Sequence, residues 1–216
     1  MSPTLELQDT IAILNLGPDE NRFSPEWLDT VNGLLDDALE HAKPLITVGT
    51  GKFYSNGLDL DWLMSHGDQT DWYVGRVHAL FSRILTLPLP TVAAVNGHAF
   101  GAGAMLAVAH DYRVMRSDRG YLCFPEVDIN IPFTPGMASL IQAKVTPQTA
   151  VTAMTTGHRY GGEAAVAAGL ADRAVSEDQV LRVAVDLMKP LEGKNSGTLG
   201  AIKTTMFAAT TAALAA

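Results

Sequence analysis

Two short stretches place glycine where the chain turns after an apolar run. YSNGLD (54–59) follows Pro44–Val48, and GHAFGAGAML (97–106) follows Thr91–Val95. Three chemistries compete for the second stretch. As a dinucleotide fingerprint, the register through Gly101 and Gly103 puts Leu106 at the third glycine, where close helix–strand packing needs glycine. As a nucleophile elbow, Gly97 to Gly101 has the outer spacing, but Ala99 stands where serine must attack. As an anion site, a helix starting near Gly103 turns free N–H groups and its positive end outward, and the small residues GAGA let a ligand atom approach the main chain. Simple easing of strand-to-helix packing accounts for these glycines equally well. The first loop adds weight to the anion site. One N–H from each loop, converging on one point, forms an oxyanion hole for a developing negative charge.

Glu126 is the acid whose neighbours matter. Phe124, Pro125, Val127, Ile129 and Ile131 surround it in sequence, so its carboxylate is expected to be desolvated and its pKa raised, as suits a general base. The alternative is a loop or capping carboxylate after Pro125. Asp128 is the other nearby acid. An extended 126–128 segment would place both carboxylates on one face, and a turn or ion-pair role competes with that reading. His98 and His110 flank the glycine helix without a third ligand at metal spacing, so packing roles are expected and no metal is. Cys123 reads as a small buried hydrophobe.

The elements that position these residues alternate. Leu5–Gln8 and Ile11–Leu16 read as strands around an Asp9–Thr10 turn. Ser24-Pro25-Glu26 supplies an N-cap, a proline at the first helical position and an early acid, and Trp27, Val31, Leu34, Leu35 and Ala38 share one helical face. Pro44–Val48 and Thr91–Val95 are continuous apolar runs of the kind buried on both faces. Helical patterning covers about 60–86, ended by Pro88 and Pro90, and a further helix runs to about His110. Tyr112–Met115, Tyr121–Phe124 and a segment near Arg173–Val175 read as strands. From Phe133 onward the pattern is mostly helical. Asp59 is expected to cap the helix after the first loop. The fold class is therefore α/β, with a helical C-terminal part.

Composition narrows the function. The 216 residues suffice for one domain with a substantial core, and 47% hydrophobic with 18% charged residues is a globular balance. A formal net charge of −8 argues against generic binding to nucleic acid or anionic membranes. The single cysteine excludes an intrachain disulfide and fits a reducing cytoplasm. MSPTLELQDT shows neither a basic nor an apolar signal region, and the Ala-rich MFAATTAALAA is too short to span a bilayer.

Taken together, the stretches resemble the crotonase (enoyl-CoA hydratase/isomerase) superfamily. FYSNGLDL resembles its F-x-x-G-x-D-[LI] loop, and TVAAVNGHAFGAGAMLAVAHDYRVM its glycine signature. FPEVDINIPFTPG is similar to its P-E-[VI] element, and HRYGGEAAVAAGLADRAV to its G-L-V-[DN]-x-V segment, all in consistent order over about 10–190. The resemblance implies a spiral of ββα units binding an acyl-coenzyme A thioester, with the main-chain N–H groups of Leu58 and Ala102 on its carbonyl. It implies an acyl-CoA core over 1–190 and a C-terminal helix over 191–216. The implied assembly is a homotrimer or dimer of trimers, and no cofactor is expected, because coenzyme A travels as part of the substrate. Family hydratases use two glutamates; Met105 stands at the first position and Glu126 at the second. A single carboxylate suits a proton shuttle, so the resemblance points to a Δ3,Δ2-enoyl-CoA isomerase, with a hydratase, another acyl-CoA reaction or a silent binding paralogue as alternatives. Substrate contacts are expected from Arg22, Asn56, Gly57, Met105, Phe133 and Lys203, the last on a helix resembling the terminal one that reaches coenzyme A in related trimers. Trp62, Met64, Trp72, Tyr73, Phe81 and Met137 compete between acyl pocket and core.

Overall fold

The structure is a computed structural model and describes residues 2–8, 10–41 and 43–216. The apolar runs assemble into one six-stranded sheet. β1 (Thr4–Leu7) pairs antiparallel with β2 (Ala12–Asn15), and β3 (Leu45–Val48), β5 (Thr91–Val95), β7 (Tyr112–Arg116) and β9 (Arg173–Val175) follow β2 in parallel, in that order. Of the turn expected between β1 and β2, Asp9 lies outside the described residues. The central strands β3 and β5 are buried at every position, as their unbroken apolar composition requires.

A second, three-stranded parallel sheet runs β4 (Phe53–Ser55), β6 (His98–Phe100), β8 (Leu122–Cys123). Residues 53–55 and 98–100, expected in a loop and in a glycine turn, are therefore strands. Successive units now repeat one plan. A strand of the large sheet feeds a strand of the small sheet and then a helix. β3 and β4 lead to α2 (Leu60–Ser65) and α3 (Thr70–Thr86), β5 and β6 to α4 (Ala102–Ala109), and β7 and β8 to α5 (Pro135–Lys144). This is the expected spiral of ββα units.

Helix α1 (Pro25–Glu40) begins as its sequence dictates: Ser24 Oγ accepts from Trp27 N at 3.2 Å with Pro25 in the first turn. Trp27, Leu28, Val31, Leu35 and Ala38 are buried against the main core. Helix α4 is buried at all eight positions, so AGAMLAVA is apolar all round because it has no solvent face. After α6 (Pro147–Thr156) and α7 (Gly162–Ala167), the other face of the large sheet is covered by α8 (Val180–Met188), with Val180, Ala184 and Met188 against Ile46, Val92 and Val114. The C-terminal segment, expected as one helix, folds as α9 (Ser196–Met206) and α10 (Ala208–Ala215), which meet at Phe207. Leu214 anchors α10 in the core.

Candidate active site

The three groups singled out by the sequence leave the carboxyl ends of neighbouring strands in the small sheet. Leu58 follows β4, Ala102 follows β6 and Glu126 follows β8. Parallel neighbours end on the same side, which is where α/β architectures gather ligand-binding groups. All three residues line one cavity of about 420 Å³.

The two amide-bearing loops meet main chain to main chain. Gly57 has φ +78°, and a Cβ there would stand 2.8 Å from Ala102 N and 2.9 Å from Gly103 N. Only glycine allows that approach. The flanking groups are tied down: Phe23 N donates to Gly57 O (2.8 Å), and Gly57 N donates to Ser55 Oγ (3.0 Å), whose hydroxyl donates to Asn21 O (2.8 Å). Asp59 caps α2 as expected, accepting from Trp62 N at 3.2 Å, while its own N–H donates to Tyr73 Oη at 2.9 Å. The Leu58 N–H finds no acceptor among the described residues. Nor does the Ala102 N–H, which opens α4 directly after Gly101 at φ +52°. Unpaired first-turn amides at a helix's positive end favour negative charge.

Glu126 completes the cavity. It is 7% exposed, its Oε1 lies 3.3 Å from where a Cβ on Gly101 would stand, and its Oε2 is buried without a hydrogen-bond partner among the described residues. Burial pushes its carboxyl up to about 7. The desolvation is as expected, but of the neighbours expected to supply it Val127 and Ile129 are themselves exposed. Asp128 does not join it. Residues 126–130 form a turn in which Asp128 N and Ile129 N donate to Pro125 O (2.9 and 3.1 Å), so the two carboxylates do not share an extended face. Asp128 packs instead on Gly157, where a Cβ would come within 2.3 Å of its Oδ2.

Of the expected substrate contacts, Arg22 and Asn56 line the cavity, and Gly57 backs the first loop. Arg22 arrives already partnered, bonded to Glu20 and, at 2.6 Å, to Asp61. Arg159 also lines the cavity with its guanidinium 5.8 Å over the Phe100 ring, and it has no carboxylate partner among the described residues. Arg159, Leu60 and Phe100 lie inside stretches that the sequence singled out but had no site role there, because only the topology brings them to one cavity. Among the aromatic and methionine candidates only Met64 lines this cavity; Tyr73, Phe81 and Met137 are core.

Three of the expected contacts do not reach this cavity within the chain. Met105 is 1% exposed in the core and is not among the cavity residues, because α4 is enclosed on every side. Phe133 packs against the core outside the cavity. Lys203 is 4% exposed, and its Nζ donates to Leu89 O (2.7 Å) and to Asp111 Oδ2 (2.6 Å). Its ammonium ties α9 to the turn before β5 and borders a different cavity. Removing one partner of a buried pair typically costs about 3–5 kcal/mol. Lys203→Met is therefore expected to lower the unfolding free energy by about that much while leaving kcat/KM of the folded fraction within about two-fold. Chemical denaturation and steady-state kinetics check both, and a selective rise in KM would restore Lys203 to the substrate site.

The spiral is the crotonase fold, and the comparisons name the class more closely. The family described as enoyl-CoA hydratase/isomerase matches residues 6–216. Enoyl-CoA delta isomerase 3 of Arabidopsis thaliana is 39% identical over 88% of this chain and 85% of its own. Enoyl-CoA delta isomerase 2, peroxisomal, of the same organism is 38% identical with the same coverage. A probable enoyl-CoA hydratase from Mycobacterium tuberculosis H37Rv superposes with a TM-score of 0.92 at 25% identity, covering 99% of this chain and 92% of that one. The chain belongs to the enoyl-CoA hydratase/isomerase family.

Proposed function

We propose that this protein is an enoyl-CoA isomerase that moves the double bond of a 3-enoyl-CoA to the 2-trans position. The observation that carries the reading is one buried carboxylate with an oxygen that has no partner among the described residues, beside two free amides in one cavity. The thioester oxygen sits between the Leu58 and Ala102 N–H groups. Glu126 takes a proton from C2, the electron pair moves onto that oxygen, and the resulting dienolate takes the same proton back at C4. The bond between C3 and C4 becomes single and the one between C2 and C3 double. Each amide aimed at the enolate oxygen contributes about 2.7–4 kcal/mol to the transition state. Relatives named enoyl-CoA delta isomerases support the same reaction.

Hydration needs a second group to place water, and the position of the first hydratase glutamate holds the buried Met105. The cavity's other acid, Asp61, is engaged by Arg22. Hydratase activity is accordingly weak or absent in this proposal. No cofactor takes part, and coenzyme A is carried as part of the substrate. Supplying purified protein with a 3-enoyl-CoA and separately with a 2-enoyl-CoA tests the reading. Isomerisation that outpaces hydration is the expected result; hydration as fast as isomerisation, or binding without turnover, overturns it. The proposal includes a homotrimer or dimer of trimers, checked by light scattering, and a cytoplasmic location, checked by imaging a tagged chain. Two relatives carry peroxisomal in their names, and among the described residues no helix is long and apolar enough to cross a membrane.

A further inference from the structure

Behind the two amides runs a buried polar chain that touches neither the cavity nor solvent. Tyr54 of β4, Thr47 of β3 and His110 after α4 are all at most 2% exposed. Tyr54 Oη lies 2.7 Å from Thr47 Oγ1, which lies 3.0 Å from His110 Nε2, and His110 Nδ1 lies 2.8 Å from Leu106 O. A carbonyl only accepts, so Nδ1 carries the ring proton and donates to Leu106. Burial drives the His110 pKa down to about 3, so the ring is neutral and Nε2 is an acceptor. Thr47 therefore donates to His110, and its oxygen accepts from Tyr54. Every proton in the chain has one available direction.

The ends of this chain stand on the two elements that present the amides. Tyr54 precedes the turn that carries Leu58, and it is held from the other side by Asn21 Nδ2, which donates to Tyr54 O at 3.0 Å. His110 follows the last residue of the helix whose first residue is Ala102, and its Nδ1 proton binds that helix's own carbonyl at Leu106. An eight-residue helix is about 12 Å long and moves as a rigid body. Thr47, on a central strand, clamps both pieces to the large sheet.

We propose that Tyr54, Thr47 and His110 are positioning residues that set the spacing between the Leu58 and Ala102 amides. The inference rests on the oxyanion-hole reading above. Small displacements of groups that meet a transition state cost rate out of proportion to binding, with about 10²-fold for 1 Å as the scale.

Thr47→Val keeps the shape of the side chain and removes the hydroxyl, so the link between Tyr54 and His110 is lost; Thr47→Ser restores it. In Thr47→Val, isomerase kcat is expected to fall about 10–100-fold with KM within about three-fold, and Thr47→Ser to recover most of the loss. The carbonyl stretch of a bound 2-enoyl-CoA, read by infrared difference spectroscopy, reports the amides directly. In the parent it shifts to lower frequency than in free ligand, and in Thr47→Val it moves back toward the free value. If the parent shows no such shift, the oxyanion reading itself fails. If the parent shows it and folded Thr47→Val keeps both the shift and kcat within two-fold, the positioning role is overturned. Should Thr47→Val not fold, Tyr54→Phe serves instead. It is expected to lower kcat at least about five-fold with a partial return of the carbonyl frequency, and unchanged values overturn the proposal.

Discussion

Glu126→Gln is expected to lose about 10²–10⁴-fold in isomerase kcat, the range in which positioned acid/base groups act, with KM little changed. The amide of glutamine keeps the shape but takes no proton from C2, and the described residues place no second partner-free carboxylate in the cavity. A loss of only a few-fold in stopped-flow turnover would remove Glu126 from the mechanism. The same residue sets a pH signature in the parent. Its carboxyl, lifted to about 7 by burial, must be ionised to act, so kcat/KM is expected to rise with pH along a limb centred near 7. Stability carries the opposite slope. Between the ordinary value of 4.5 and about 7, the unfolded chain has released this proton while the folded chain keeps it. The stabilisation from holding the proton is complete below the lower value and is lost as pH rises through the upper one, by about 1.4 kcal/mol per unit at most. Glu126→Gln does not titrate, so its unfolding free energy relative to the parent should climb from pH 5 to pH 8. A flat difference in denaturation experiments would show that Glu126 is better solvated than its 7% exposure implies.

The parts of this site differed in how visible they were in the chain. The strands of the large sheet are three to five residues long, continuously apolar at its centre, and were readable, as was α1 from Ser24-Pro25 and its buried stripe. Of the small sheet only β8 was, inside the expected 121–124 strand, although this sheet positions everything that matters. Its strands have two or three residues, too few for an alternating pattern, and FYS and HAF look like the loops around them. Without that sheet, the common origin of Leu58, Ala102 and Glu126 at three parallel strand ends has no expression in sequence. Lys203 shows the opposite failure. A lysine near the end of an Ala- and Thr-rich helix reads as a surface cation, and nothing local reveals that Asp111, far away in sequence, waits to bury it. For Asp128 the competing turn reading holds: two residues apart means one face in a strand and diverging faces in a turn, and Pro125 starts a turn. His110 was expected merely to pack. Its role as a fixed acceptor depends on Thr47 and Tyr54, which no spacing rule connects to it.

Gly57→Ala is expected to disable the second half of the machinery while leaving the carboxylate in place. At φ +78° an L side chain is already strained, by about 1–2 kcal/mol. The new Cβ would also stand 2.8 Å from Ala102 N, 2.8 Å from Phe100 O and 2.9 Å from Gly103 N, all main-chain atoms that no rotamer change can move. The two loops must part, and the amides of Leu58 and Ala102 part with them. With one donor lost from alignment, kcat should fall about 10²–10³-fold, and the low-frequency carbonyl shift of bound 2-enoyl-CoA should fade. Gly101→Ala is less crowded, since its Cβ would come within 3.4 Å only of Glu126 Oε1, but at φ +52° an L side chain is strained there too, directly before the Ala102 amide. That variant should lower kcat through the carboxylate and the amide together, with some loss of the shift. If folded Gly57→Ala retains both the shift and a kcat within ten-fold of the parent, the close approach at Gly57 serves packing alone, and the charge on the thioester oxygen is stabilised by something other than these two amides.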